Sequence, residues 1–568
     1  MSLLVRPLPL GKVRLRNRLV MKVRLRNRLV MPPMATEKSE GQGKVSDALC
    51  EYYDEKTKGG YFGLVVAEHS YISQEGQASK GQVSFSSDDD VPGLKRLVEV
   101  IHRNGCKVVA QINHAGGKSI TALGGESLTA PAPSAMPYTT TRGEAVQAHA
   151  MTQREIDRVV ADFASAARRA KEAGFDGVEI HSAHGYLLSQ FYSPITNKRT
   201  DDYSGTSIAG RTRLHCRVIE AVRSEVGPDY LLALRLGACD YEEGGATRED
   251  AVAACKIFEE AGVDLLDISG GLCGYRGDGS KAEGYFGEDS AAIRAAVTVP
   301  VIVTGGVRTP EGAERVLEKG QADLVGVGRA VLKDSLWAKN AIEFAGGTSV
   351  KGTVFFDFDG TLHDSMAIYG PAFRKAYAWL VSEGHMPPQE FTDEWISRWL
   401  GWTTEAMWTT FAPNLPEEIW RQAAEIVGNE MDRLTEEGKA RLFPGVPEML
   451  DELCSDGYEL AFISNCRTRY CEVHRAMFGL GTWFDAYYCA EDFGEMPKWQ
   501  IYQRVAERHA IPHVMVGDRF HDGEVATKAN IPFIGCTYGF GADEELAMAK
   551  ACVSAPEEIP GAVQEVLS

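Results

Sequence analysis

None of the 12 cysteines forms a Cys-x-x-Cys pair, and no apolar run approaches the ~20 residues that a membrane helix needs. The first absence argues against a disulfide framework or a zinc site, so buried, reduced thiols are expected; the tightest spacing is Cys466 and Cys471. The second argues against a membrane span. Positive charge is also short, with 60 Lys and Arg against 79 Asp and Glu and a net charge of -19. That balance disfavours nucleic acid and anionic membrane as partners and leaves small-molecule substrates. Near the start, Arg14, Arg16, Arg18, Arg24, Arg26 and Arg28 interrupt any apolar leader segment, and a cytoplasmic protein is expected.

What is present is ordinary globular material: 568 residues, 44% hydrophobic and 24% charged, enough for two or three cores. One feature is unusual. Lys12–Met21 reads KVRLRNRLVM, and Lys22–Met31 repeats it letter for letter. A single decamer repeat is too short for a stacked array, in which several copies share a core. A tandem duplication and an assembly error account for it equally well. The second copy leads directly into Pro32-Pro33-Met34, so it is the one expected to enter the fold.

From Leu29 to Val331, short β-branched runs alternate with amphipathic stretches such as Glu155–Ala173 and Thr247–Ala261. The runs are Leu29–Met31, Gly63–Glu68, Lys107–Asn113, Gly177–His181, Leu231–Leu236, Leu265–Ser269, Val301–Thr304 and Leu324–Val327. They are continuously apolar, as strands buried on both faces are, and eight such units predict a (β/α)8 barrel of the TIM type. Ala345-Gly346-Gly347-Thr348-Ser349 reads as a linker. Beyond it, strands at Thr353–Phe356, Leu460–Ile463, Ala486–Cys489, Val514–Val516 and Phe533–Ile534 enclose a Trp-rich helical stretch, Met366 to Arg441. The expected division is a barrel over 1–344, a linker over 345–350, and an α/β unit over 351–568 with a helical cap at 365–442.

Barrel enzymes gather their chemistry at the carboxyl ends of the strands. There the sequence places Pro33-Met34-Ala35, Gln111, His181-x-x-His184-Gly-Tyr186, Arg235, Gly305-Gly306 and Gly328-Arg329. Two histidines and a tyrosine facing an arginine suit a site that binds an electron-rich ring and polarises a carbonyl, and paired glycines suit a phosphate. These residues, with the stretch GFDGVEIHSAHGYLLSQFYSPITNKRTDDYSG from Gly174, make residues 5–340 similar to the old yellow enzyme family. The resemblance implies FMN across the barrel mouth, reduced by NAD(P)H and used to reduce activated alkenes. Pro33, Met34, Ala35, Gln111 and Arg235 would meet the flavin, and Gly305, Gly306, Gly328 and Arg329 its phosphate. His181 and His184 would hold the substrate carbonyl and Tyr186 would supply a proton. Two departures stand out. Ala35 replaces the usual Thr or Cys, and His69 stands where a small residue is common. Larger relatives append an iron–sulfur and FAD-binding portion, whose cysteine cluster this sequence does not supply. A homo-oligomer through the barrel is also expected.

The later segment carries Asp357-Phe-Asp359-Gly-Thr361 after a strand, then Ser464-Asn465, Lys498, and Asp518-x-x-x-Asp522. Two carboxylates at i and i+2 can divide attack and proton transfer, and clustered carboxylates select a hard divalent cation such as Mg2+. All four motifs, in order, resemble the haloacid dehalogenase (HAD) superfamily. This implies a Rossmann-like core, Asp357 as nucleophile and Asp359 as acid and base. Thr361, Ser464 and Asn465 would bind phosphate, with Lys498 neutralising its charge. Asp357, Asp359 (through its carbonyl), Asp518 and Asp522 would form the metal site. Thr537–Gly541 with Asp543–Leu546 is similar to the phosphoglycolate phosphatase branch. The expectation is a fusion of an FMN oxidoreductase and an aspartate-nucleophile phosphatase; the alternative keeps the oxidoreductase and makes the second part a non-catalytic binding or regulatory module.

Overall fold

The computed structural model describes residues 2–6, 8–15, 18–124, 129–276, 282–347, 349–400, 402–484, 486–494 and 496–567. It separates into two compact units, Met1–Ser349 and Val350–Ser568. Arg16 and Asn17 of the first repeat copy, and Thr348 of the expected linker, lie outside the described residues.

The first unit opens with an antiparallel hairpin, β1 (Leu8–Leu15) and β2 (Arg18–Leu25), in register from Leu8↔Leu25 to Leu15↔Arg18. The first repeat copy therefore contributes to both β1 and β2, and the end of the second copy supplies a barrel strand. The barrel is closed and parallel, formed by β3 (Leu29–Met31), β4 (Leu64–Tyr71), β5 (Lys107–Asn113) and five later strands. A small sheet of β6 (Ala130–Ala132), β7 (Pro137–Thr139) and β8 (Ala145–Ala150) intervenes, unannounced by the sequence pattern. The barrel then resumes with β9 (Gly177–Ser182), β10 (Leu231–Gly237), β11 (Leu265–Ser269), β12 (Val301–Thr304) and β13 (Leu324–Gly326).

The helices between them form for local reasons. In Gln153–Glu172, Ile156, Val159, Val160, Phe163, Ala166, Ala167 and Ala170 recur at helical spacing and are all buried. Thr152 caps its start, accepting from Glu155 N while the Glu155 carboxylate takes the Thr152 N–H.

Because side chains alternate along a strand, every second residue shares one face. Near the amino ends of the strands that face is apolar: Val30, Leu64, Val66, Val109, Leu231, Ala233, Leu265, Ile302 and Leu324 form one cluster, joined by Leu25 of the hairpin. Two or four residues further along β5, β10, β11 and β12, and on β9, the same alternation brings up Gln111, Glu179, His181, Arg235, Asp267, Ser269 and Thr304. The barrel is thus greasy at its base and ionisable at its mouth.

The second unit is a parallel sheet in the order β16-β15-β14-β17-β18-β19. Its strands are β14 (Gly352–Phe356), β15 (Tyr458–Ser464), β16 (Ala486–Cys489), β17 (His513–Gly517), β18 (Phe533–Cys536) and β19 (Ala551–Val553). The chain leaves and re-enters this core at a paired hinge, where His363 bridges Leu442 and Asp364 N donates to Arg441 O. The helices Met366–Ser382, Asp393–Ser397, Thr404–Phe411 and Glu417–Glu436 lie between these two points. Among the described residues no helix is long and apolar enough to cross a membrane.

Leu25 is fully buried among the barrel's basal residues. Leu25→Ala should cost about 2–5 kcal/mol, read as faster hydrogen exchange of the barrel-strand amides in urea. Unchanged exchange would show that the hairpin does not close the base.

Candidate active sites

At the mouth of the barrel, β5, β9, β10, β11 and β12 contribute buried polar side chains in two bonded groups. Gln111 Nε2 donates to Glu179 Oε2 at 2.5 Å, and Arg235 Nε lies 3.2 Å from Asp267 Oδ2. Thr304 Oγ1 donates to Asp267 Oδ1 at 3.0 Å. Burial pushes the Glu179 carboxyl well up, and the neighbouring Asp267 pushes it further. One cation is thus set against two buried acids, and burial raises both carboxyls.

His181 ends β9, and the loop after it turns sharply: His184 adopts a left-handed φ of 58°. The fold brings the two imidazoles to a centroid separation of 5.2 Å, with the Tyr186 ring 5.3 Å from His181. Burial first, then the nearby Arg235 and other cationic groups, holds both histidines well below the ordinary range, so they are neutral N–H donors. Burial pushes the Tyr186 hydroxyl up, so it keeps its proton. His184 Nε2 is engaged with Ser269 Oγ at 2.9 Å, while His181 Nδ1 is buried without a partner.

Two neighbours of this trio were less legible. A register shift in β4 between Ala67 and Ser70 brings His69 to the rim, its ring 6.1 Å from His181 and 5.4 Å from Tyr186. Its Nδ1 meets Gln82 Nε2 at 2.8 Å, and Gln82 Oε1 is fixed by Ala78 N, so the His69 proton belongs on Nε2. Burial and Arg235 push its pKa down to about 4. Lys118 Nζ donates to His184 O at 2.8 Å and lies 5.8 Å over the Tyr186 ring.

Of the other expected residues, Ala35 is exposed at the rim, and Met34 abuts Gly328, where an added Cβ would lie 2.7 Å from Met34 Sδ. Gly305 and Gly306 are covered by the Tyr285 ring, whose hydroxyl accepts from Arg329 Nη2 at 2.9 Å. The mouth fits a polar planar ligand such as FMN on one observation. The buried Asn113 amide, Glu179 Oε1 and His181 Nδ1 all lack hydrogen-bond partners among the described residues.

In the second unit β14 and β17 are parallel neighbours, and the order in which strands are added to the sheet reverses between them, which is where such sheets bind ligands. Asp357 follows β14 and Asp518 follows β17. Asp357, Asp518 and Asp522 are all buried and offer oxygens within 4.8 Å of one another. Lys498 Nζ donates to Asp357 Oδ1 at 2.6 Å and to Asp522 Oδ1 at 2.5 Å. Gly360, with φ of 93°, is required here: a Cβ would lie 2.2 Å from Asp518 Oδ2. Three acids around one ammonium leave excess negative charge, and burial raises both Asp357 and Asp518. That donor set fits a hard divalent cation.

Asp359 is placed differently. Its Oδ1 takes the Tyr470 hydroxyl at 2.8 Å and meets His363 Nδ1 at 3.0 Å. Burial opposes its ionisation, yet these bonds outweigh burial and hold its carboxyl below the usual range. Ser464 is buried at the end of β15, and Asn465 faces the cap. Thr361 Oγ1 lies 3.5 Å from Asp518 Oδ1, turned toward the acids. Neither Tyr470 nor His363 was anticipated.

A cavity of about 740 Å³ opens beside Asp359, lined by Trp399, Trp402, Trp408, Trp420 and Tyr369, with Arg467 and Arg469. Trp408 packs at 1% exposure, but it and three others also face this cavity.

The sequence profile described as "NADH:flavin oxidoreductase / NADH oxidase family" matches residues 20–343. The chain belongs to that family. Residues 354–536 match the haloacid dehalogenase-like hydrolase profile. An NADPH dehydrogenase of Listeria monocytogenes serotype 4a is 39% identical over 352 residues, covering 61% of this chain and 96% of that protein. An NADH oxidase of Thermoanaerobacter brockii is 38% identical over 344 residues, 59% of this chain and 50% of its own length. A metal reductase of Desulforamulus reducens is 36% identical over 337 residues, 59% of this chain and 48% of its own length. The chain therefore spans about half the length of the last two relatives. Among solved structures, the old yellow enzyme homologue of Zymomonas mobilis is similar with a TM-score of 0.52 and 26% identity, over 61% of this chain and 94% of its own. Morphinone reductase shares the fold at a TM-score of 0.50 and 24% identity, over 60% of this chain and 91% of its own. The flavin oxidoreductase family thus accounts for the first unit and the HAD-like hydrolases for the second.

The Asp357 carboxyl is raised to about 7, mainly by burial, above the ~3.9 of an unfolded aspartate. Its contribution to stability is therefore complete below pH ~4 and is lost as pH rises through its folded value. In metal-free protein, Asp357→Asn should stabilise the second unit at pH 8 and change little at pH 4; Mg2+ should narrow the gap at pH 8. Denaturant titrations that show the wild type gaining on the variant as pH rises without metal would refute this.

Proposed function

We propose that the chain carries two enzymes: an FMN-dependent NAD(P)H:acceptor oxidoreductase that reduces activated alkenes, and a Mg2+-dependent phosphatase working through an aspartyl-phosphate. The observation that supports it best is the convergence of a complete reactive set at the carboxyl ends of the parallel strands in each unit.

In the barrel, Gln111, Arg235, Met34, Pro33 and Ala35 would border the flavin. Gly305, Gly306, Gly328 and Arg329 would take its phosphate once the Tyr285 ring yields its place. FMN, when bound, supplies the hydride that reaches the substrate's β-carbon. The neutral imidazoles of His181 and His184 donate to the substrate carbonyl oxygen, favouring the charge that builds there. Tyr186 retains its proton and delivers it at the α-carbon.

In the second unit, Asp357 attacks phosphorus while Lys498 offsets the charge of the phosphoryl oxygens. Asp357, Asp518, Asp522 and the Asp359 carbonyl would hold Mg2+, which supplies charge neutralisation when bound. Asp359, oriented by Tyr470 and His363, exchanges the proton with the leaving oxygen. The aromatic lining and volume of the adjoining cavity favour a phosphate monoester with a bulky apolar or aromatic alcohol over a two-carbon acid such as phosphoglycolate.

Two measurements test the pair. Tyr186→Phe should lower alkene reduction about 10²-fold or more while NAD(P)H still bleaches the flavin; an unchanged turnover would remove Tyr186 from its role. Asp357→Asn should abolish release of phosphate from an aryl phosphate with Mg2+, leaving NAD(P)H oxidation intact. Equal phosphate release from variant and wild type would sink the hydrolase reading.

A further inference from the structure

Three thiols carried by a loop, a helix and a strand meet beside the hydrolase site. Cys466 lies in the loop after β15, Cys471 in the helix Thr468–Met477, and Cys489 is the last residue of β16. Their sulfurs all lie within 4.8 Å of one another, and Cys466 Sγ is 3.8 Å from Cys489 Sγ. The parallel pairing of β15 and β16, with Ser464 opposite Cys489, delivers two of them to one end of the sheet. The first turns of the following helix deliver the third.

Chance clustering of buried thiols is common enough to need a second argument, and the spacing provides one. A disulfide needs sulfurs about 2.05 Å apart, and 3.8 Å is far outside it. Thiolates around zinc sit about 2.3 Å from the metal, so two corners of a tetrahedron are separated by about 3.8 Å. The observed pair has that separation without any movement. Exposure supplies another argument: Cys471 and Cys489 are buried, whereas Cys466 is half-buried and lines the cap cavity. One flank of the trio is therefore open for an ion to enter and for a water to complete the shell.

We propose that Cys466, Cys471 and Cys489 form a site for a soft d10 cation, with Zn2+ as the natural occupant, separate from the carboxylate site. Sulfur selects such ions, while the oxygen set of Asp357, Asp518 and Asp522 selects hard ones, so both can be filled together. On binding, each thiol that becomes a ligand releases its proton to solvent, and no electron is transferred. Cys466 N donates to Ser464 Oγ at 3.3 Å, and Tyr470, next to Cys471, donates to Asp359. An ion held by the three sulfurs would therefore fix the Ser464–Cys466 loop and the start of the helix that orients Asp359.

The test uses the full chain, reduced and anaerobic, in excess Mg2+ so that the carboxylates are engaged. Cd2+ should produce a sulfur-to-metal charge-transfer band that saturates at one equivalent, and Zn2+ added first should suppress it. Zn2+ should also protect Cys466 from alkylation, read by peptide mass spectrometry on the wild type and so free of any folding defect. Cys466→Ser, Cys471→Ser and Cys489→Ser should each weaken Cd2+ binding by more than the ~10–100-fold that loss of an outer-shell partner costs. Cys536→Ser, a buried thiol outside the trio, should leave it unchanged. The absence of the band, a band that survives the three single variants, or alkylation of Cys466 indifferent to Zn2+ would each overturn the proposal. None of these readouts depends on phosphatase activity, so the proposal and the hydrolase reading can fail separately.

Discussion

A parallel strand delivers its last inward side chain to the same rim as its neighbours. Both units are built on that constraint, and it explains why residues separated by more than a hundred positions act together. In the barrel, Gln111 and Glu179 bond across adjacent strands because β5 and β9 are parallel and in register at those two residues. In the second unit, Asp357 and Asp518 meet because Phe356 pairs with Val516 one and two residues earlier. Hydrophobic burial secures the register, since a slip by one residue would turn the apolar stripe outward and the polar rim with it.

The two rims solve the cost of buried charge in different ways. The barrel mouth balances Arg235 against Asp267 and Glu179 and leaves its imidazoles neutral, which suits the recognition of an uncharged ring and carbonyl. The hydrolase rim cannot balance itself. Lys498 engages Asp357 and Asp522, and Asp518 is left with a backbone N–H from Phe540 as its strongest partner. Buried carboxylates this close either hold protons or hold a cation, and the nucleophilic role proposed for Asp357 requires the second.

Much of this was legible in the chain. Leu29–Met31, Lys107–Asn113, Leu265–Ser269 and Val301–Thr304 form strands with the bounds their runs suggest, because strands buried on both faces are mostly apolar and admit polar residues chiefly where they reach the mouth. The short strands β6, β7, β8 and β19 escaped because they carry no such run. The hairpin escaped because its polar–apolar alternation was hidden within a duplicated segment. His69 was visible as an unusual residue, but its direction depends on a bulge, which no periodicity announces. His363, four residues beyond Asp359 in the same loop, was a local partner that went unread; Tyr470 reaches Asp359 from the helix after the adjacent strand β15, and Cys489 joins Cys466 and Cys471 only through strand pairing. Such cross-strand neighbours follow from topology, so the sequence shows them once the strand order is known and not before.

The cap illustrates how far the rim's influence extends. Arg519 follows Asp518 directly; its backbone N–H caps Asp522 Oδ2 at 3.0 Å, while its guanidinium bonds the carbonyls of Arg398 and Leu400 and the Glu545 carboxylate. Leu400 and its neighbours Trp399 and Trp402 line the cavity that opens at Asp359. One residue therefore ties the carboxylate cluster to the wall that would contact a substrate. The hinge at His363 and Leu442 begins four residues after Asp359, and His363 bonds that carboxylate. Asp359 and Asp522 are thus each bonded to a residue that also holds the cap or its point of entry, so the position of the cap and the position of these acids are set by the same contacts.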